Sequence, residues 1–306
     1  MILCAGGSLI DMVPGEGGFR PLPGGAVYNT AVALGRLGVS TGYLWPISTD
    51  PFGQALVAPL TQAGVDISLC PRTDRLTTLA FVTLTGSEAR YSFYDEGSAG
   101  RMFSAAELPD LPQEVQALFI GGISLVPDPC GAAIEVLAER ARARGIPVML
   151  DPNIRPFFIK DSAAYRARLE RLIALADFVK LSADDLDWLA PGQDHAETVA
   201  RILAAGPSVV FRTSGAEGAT AHHAGGAQSV PAQRVTVADT IGAGDTFNAG
   251  VLAALAAASA LTARAHDLAP LDQILADALA HGIRTAAITV SRAGANPPWA
   301  HELGQG

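Results

Sequence analysis

The sequence predicts an α/β fold in which a mostly parallel sheet is covered by helices on both faces. Three observations point there. Short apolar runs alternate with stretches of helical spacing along most of the chain, the pattern of strand–helix–strand units. Several of those runs stop at a polar or glycine residue, namely Gly121, Asp151, Ser182 and Thr213, and ligands in such folds bind beyond the carboxyl ends of strands. Hydrophobic residues make up 49% of 306, enough to bury a parallel sheet on both sides.

The elements follow in order. Residues 2–5 read as a first core strand leaving through Gly6-Gly7. Residues 41–47 and 79–84 are strand-like, and Tyr91-Ser92-Phe93-Tyr94 alternates after a turn at Gly86-Ser87. Ala117–Ile120 is a short buried strand ending in Gly121-Gly122. A helix over 129–144 stops at Gly145, and Pro147–Leu150 is the next strand, ending at Asp151. Helix is expected over 162–175, strand over 178–181, short helix over 183–190, helix over 194–205 and strand over 208–212. Gln233–Val237 reads as a strand before a glycine loop, and the alanine-rich stretch 249–280 as helix. The chain is expected to be one domain, 1–306.

Composition excludes several classes. A net charge of −9 without a basic cluster argues against a nucleic-acid partner. No apolar run reaches the ~18 residues of a spanning helix, so no membrane partner is expected. Nothing at the start resembles a signal segment, and cytoplasmic location is the expectation. Cys4, Cys70 and Cys130 are widely spaced and read as free thiols of a reducing compartment. The six histidines, 195, 222, 223, 266, 281 and 301, show no metal-site pattern.

Chemistry concentrates in Asp239-Thr240-Ile241-Gly242-Ala243-Gly244-Asp245-Thr246-Phe247. Gly242, Ala243 and Gly244 let backbone amides approach an anion, and the helix that follows adds its unpaired N–H groups and dipole. The loop ends in a carboxylate, Asp245. A simple anion cradle has no use for it; phosphoryl transfer to an alcohol does, because the hydroxyl must lose its proton. Far upstream, Gly24-Gly25 precedes Asn29 and a run of small residues to Arg36-Leu37-Gly38. Gly25 permits a tight turn, and Asn29 can donate to and accept from sugar hydroxyls.

Together the two strings resemble the paired signatures of the PfkB, ribokinase-like, carbohydrate kinases. The resemblance spans about Cys4 to Pro297 and implies a ribokinase-like three-layer sandwich carrying a small β lid, here about 12–23 and 72–103. A lid would exclude water during transfer, and its exposed face suits pairing into a homodimer. The implied substrates are a sugar and Mg²⁺-bound ATP. Asp245 becomes the base, with the amides of Gly242, Ala243 and Gly244 stabilising the transferring phosphoryl group.

For the sugar the resemblance implies Asp11, Gly25, Asn29, Asp245, the lid aromatic Tyr94, and Arg155 of Asp151-Pro152-Asn153-Ile154-Arg155. For the nucleotide it implies Lys180, Ser182 and Asp185, in the place of the family's Asn-x-x-Glu motif, with Thr213, Gly215, Gly218, Gly242, Gly244 and Asn296. Asp185 is one methylene shorter than the family's glutamate and would reach Mg²⁺ through water. A K⁺ ion would be held by oxygens of Asp239, Ile241, Thr289, Arg292 and Gly294; Pro298 stands where a serine ligand is frequent, leaving that set one oxygen short.

The strings around Gly122-Ile123-Ser124-Leu125 and Tyr91–Gly100 look most like bacterial fructokinases. Asp95 and Glu96 stand where kinases of 2-keto-3-deoxygluconate carry a cation, and carboxylates there would repel an acidic sugar. D-Fructose, giving fructose 6-phosphate, is therefore the expected reaction. The alternatives are a 2-keto-3-deoxygluconate kinase, a ribokinase or nucleoside kinase, and a sugar or nucleotide sensor without catalysis.

Overall fold

The structure, a computed structural model, describes residues 1–85, 88–262 and 271–304. The turn expected at Gly86-Ser87, His266 and part of the alanine-rich stretch lie outside the described residues. In chain order the elements are β1 Ile2–Ala5, β2 Leu9–Gly15, β3 Gly18–Gly24, α1 Ala26–Arg36, β4 Thr41–Leu44, β5 Ile47–Ser48, α2 Pro51–Gln62, β6 Arg72–Thr73, β7 Leu79–Thr85 and β8 Glu88–Tyr94. Next come β9 Ala117–Gly121, α3 Cys130–Ala143, β10 Val148–Asp151, α4 Ser162–Leu175, β11 Phe178–Ser182, α5 Ala183–Leu189, α6 His195–Ala204 and β12 Val209–Thr213. The chain continues through β13 Ala219–His223, β14 Gly226–Val230, α7 Ala243–Ala257, α8 Leu271–Val290 and α9 Ala300–Leu303.

Eight strands form the main sheet in the order β14-β13-β12-β11-β10-β9-β1-β4. From β4 to β12 every neighbouring pair is parallel; β13 and β14 run antiparallel at one edge. The inner strands are buried along their length, as a sheet covered on both faces requires. One helical layer holds α1, α7 and α8, packed on one another; α3 with α4, and α5 with α6, cover β9 to β12. α7 and α8 approach closely because Gly250 faces α8: a Cβ there would lie 2.4 Å from Thr285 Oγ1 and 2.8 Å from Gly282 Cα.

A second sheet of four strands, β3-β2-β7-β8, starts at Leu9, separated from β1 by three residues. Asp50 ties its approach to the main body: it caps α2 by accepting from the Gly53 N–H at 2.6 Å, and also accepts from the Thr77 N–H and hydroxyl at 2.8 and 2.7 Å. The three cysteines are free. Burial pushes the thiol pKa of Cys70 and of Cys130 up to about 12, and that of Cys4 higher still.

Two expectations are corrected. Residues 41–47 split into β4 and β5 around Trp45-Pro46. Gln233–Val237 is not a strand. It pairs with no strand, and residues 233–237 are all exposed, Val235 and Val237 at 37% and 59%, so its alternating pattern buries no face.

Candidate active site

The site lies where the exits of β1, β10 and β11 meet the N-termini of α1 and α7. Gly242 stands before α7 with φ 79°, a left-handed conformation that suits glycine, and a Cβ there would come within 2.8 Å of the Ala295 Cβ. The first-turn N–H groups of α7 lack intrahelical acceptors. Ala243 partly spends its own on the Thr240 carbonyl, at 3.3 Å. That leaves Gly244 and Asp245 at the turn where an anion would dock.

Asp245 sits in the first turn and is 7% exposed. Asn29 Nδ2 donates to its Oδ2 at 2.8 Å, and Thr30 Oγ1 donates to its backbone carbonyl at 3.1 Å. α1 therefore orients the carboxylate. This is possible because Gly25, at φ 115°, lets α1 start against the Gly7 carbonyl, 2.4 Å from where a Cβ would be. Burial raises the Asp245 pKa to about 6; the Asn29 hydrogen bond pulls it down, Asp151 pushes it up, and Lys180 and Arg155 pull it down. Asp11 on β2 is also raised to about 6, by burial first and then by the charge of Asp245. The charges of Asp11 and Asp245 thus act on each other, and Arg155 acts on Asp245.

Beneath the loop lies a buried polar cluster. Lys180, 4% exposed, donates to Asp151 Oδ2 at 3.3 Å, and Asn248 of α7 donates to the same oxygen at 2.6 Å. A Cβ on Gly244 would stand 3.2 Å from the Lys180 ammonium. Burial opposes that charge, but Asp151, Asp185 and Asp245 outweigh it and raise the lysine's pKa. The cation is fixed directly under the anion turn. Asn248 was not foreseen, although it lies within the second signature three residues after Asp245. Nor was Thr30, one residue after Asn29.

The nucleotide candidates divide. Asp185 is 3% exposed and its carboxylate is already engaged: Oδ1 accepts from the Ile154 N–H at 2.7 Å, and Oδ2 from the Ser182 N–H and hydroxyl at 2.8 and 2.6 Å. Ser182 in turn caps α5. This pair pins the β10 exit to the start of α5. Among the described residues no cluster of acidic, histidine or cysteine side chains could hold a metal ion. Thr213 ends β12, and the loop through Gly215 and Gly218 is closed by a Ser214 N–H to Gly218 carbonyl bond of 2.8 Å.

Of the residues expected around K⁺, Asp239, Ile241 and Gly294 meet where two loops touch. Asp239 clasps them, accepting from the Ile241 N–H at 3.0 Å and from the Gly294 N–H at 2.9 Å. Thr289 is fully buried on α8 and donates to Thr246 Oγ1 at 3.1 Å. Arg292 pairs with Glu302. Asn296 accepts from Arg36.

Tyr94 is a correction. The register pairs Asp11 with Ala80 and Ala80 with Phe93, while Tyr94 pairs with Leu79. Side chains alternate along a strand, so Phe93 and Tyr91 share the face of Asp11, and Tyr94 lies on the other, 64% exposed. Tyr91 stacks on Phe157 (5.5 Å, 6°), and Phe93 meets Phe158 edge-on at 4.8 Å. The charge reading of the same strand also changes. Asp95 is paired with Arg101 at 3.0 Å and Glu96 is largely exposed beside Lys160. Neither carboxylate projects a free charge at the sugar side, and the argument from repulsion falls away.

An anion turn, a buried carboxylate at its mouth and a second carboxylate opposite define a site for phosphoryl transfer to a polyhydroxy acceptor. The profile of the pfkB family carbohydrate kinases matches residues 10–302, and the chain belongs to this family. It is 48% identical over 278 residues to a fructokinase of Rhizobium leguminosarum bv. trifolii, covering 89% of this chain and 84% of that one. Among solved structures it is similar to a fructokinase of Xylella fastidiosa with bound ATP (TM-score 0.88, 30% identity, 99% and 96% covered). It is also similar to a fructokinase double mutant of Vibrio cholerae O395 in a fructose-, ADP- and potassium-bound form (TM-score 0.84, 25% identity, 96% and 93% covered). The enzyme is a carbohydrate kinase with the ribokinase-like α/β fold.

Proposed function

We propose that the chain transfers the γ-phosphoryl group of ATP to a primary hydroxyl of D-fructose, giving fructose 6-phosphate. The observation that carries this reading is Asp245, buried at the mouth of the α7 anion turn and oriented by Asn29. Asp245 accepts the hydroxyl proton as the oxygen attacks, and its raised pKa suits a base near neutral pH. The Gly244 and Asp245 amides and the buried Lys180 ammonium receive the charge of the transferring group. Asp11 and Asn29 take sugar hydroxyls, Tyr91 and Phe93 cover the apolar side of the ring, and Arg155 neutralises the cleft. Mg²⁺ enters bound to ATP.

Fructose as acceptor is supported by the fructokinase relatives. 2-Keto-3-deoxygluconate is the second acceptor to test, because Arg101 already neutralises Asp95. The four-stranded sheet serves as the lid over the sugar. Its outward face, with Phe19 47% and Tyr94 64% exposed on either side of Phe81, supports a dimer, testable by light scattering. The loops clasped by Asp239 support a K⁺ site, and three thiols without a disulfide fit a reducing cytoplasm.

A coupled ADP-release assay with Mg-ATP, over fructose, ribose, 2-keto-3-deoxygluconate, adenosine and inosine, tests the reading. Selective turnover of fructose supports it. Selective turnover of another acceptor keeps the kinase and overturns the substrate.

A further inference from the structure

α1 reaches the anion turn from both of its ends. Near its start, Asn29 and Thr30 hold Asp245 directly. At its last residue, the half-buried Arg36 donates from Nη1 to Asn296 Oδ1 and to the Pro297 carbonyl, each at 2.7 Å, and its guanidinium lies 5.2 Å over the Trp299 ring. The segment held in this way lies against the turn. Ala295 occupies the space where a Gly242 Cβ would be, Gly294 donates to Asp239 at 2.9 Å, and the Asn296 N–H donates to the Gly294 carbonyl at 2.8 Å. Contacts therefore run without a gap from Arg36 through residues 294–296 to Gly242 and Asp239.

Resting on the reading of the chain as an ATP-dependent kinase, we propose that Arg36 is a positioning residue for the nucleotide. It fixes the 294–297 segment, which shapes the anion turn from the side opposite the sugar. A guanidinium suits this task because it is permanently charged and its rigid, planar group can bond two oxygens while stacking on an aromatic ring. The sugar end of α1 has its own anchors, Asn29 and Thr30. Loss of Arg36 should therefore weaken nucleotide binding and leave the sugar end in place.

The test uses the full chain with Arg36→Met, which keeps an apolar stem against Trp299, and Arg36→Lys, which keeps the charge but loses the fork. ADP affinity is measured by calorimetry, and KM is measured separately for ATP and for fructose. Arg36→Met is expected to raise the ADP Kd and the KM for ATP about tenfold, with the fructose KM within about twofold of wild type; Arg36→Lys should fall between. An unchanged ADP Kd, or an equal rise in both KM values, overturns the inference. If Arg36→Met does not fold, the same ratio read on Arg36→Lys decides. A wild-type chain that binds ADP yet turns over no sugar sinks the kinase reading; the calorimetric comparison still judges Arg36.

Discussion

A carboxylate acting as base must be ionised, and for Asp245, the proposed base, burial moves that requirement into the working pH range. Because its pKa is raised to about 6, the protonated, inactive form accumulates as pH falls through 6. We expect kcat/KM for the sugar to lose about tenfold per pH unit below that point, read from a pH–rate profile. Asp245→Asn should lower kcat by roughly 10²–10⁴-fold with ADP affinity nearly unchanged, measured by turnover and calorimetry. At this scale much could be read in advance. Gly242, Gly244, Asp245 and Asn29 lie in two distant strings that the fold brings to one turn, and Asp11 was implied only by the family resemblance. Tyr94 could not be read. Alternation shows that positions 91 and 93 share a face and 92 and 94 the other, but only the pairing of β8 through β7 to β2 says which face meets Asp11. Arg36 was illegible for a plainer reason: its partner lies 260 residues away.

Elements carry their own tests. α7, which carries Asp245, packs tightly on α8 through Gly250. Gly250→Ala should destabilise the protein by about 1–3 kcal/mol through overpacking, seen as a lower urea midpoint, and reduce kcat as the α7 N-terminus shifts. Asp50 joins the α2 cap to the approach of β7. Asp50→Ala should cost about 1–2 kcal/mol and raise the fructose KM more than the ATP KM, since the proposed reading puts the second sheet over the sugar. Strands such as β9 and β10 were legible because both their faces are buried, which leaves an uninterrupted apolar run. Gln233–Val237 carries a strand pattern with no neighbour to satisfy it. Local sequence records preference, and a strand also needs a surface on which to bury its apolar face.

For the whole molecule, the separation of roles follows from the two sheets. In the proposed reaction the main sheet, with α1 and α7, carries Asp245 and Lys180, and the second sheet carries Asp11, Tyr91 and Phe93. Exchanging Tyr91 for Ala should therefore raise the acceptor KM several-fold while leaving ADP affinity intact, since aromatic contacts of this kind contribute about 1 kcal/mol, and steady-state kinetics with calorimetry would show it. The way the native thiols are kept has a practical outcome. Cys4 and Cys130 are buried and Cys70 is half-buried, and burial holds all three far above the range in which a thiolate forms at neutral pH. The natural chain is then already a silent background for maleimide chemistry. One cysteine introduced at the exposed Tyr94 and another at the exposed Glu139 of α3 would take a donor and an acceptor dye. The distance between the second sheet and the main body could then be followed during turnover without removing a single native side chain from the core.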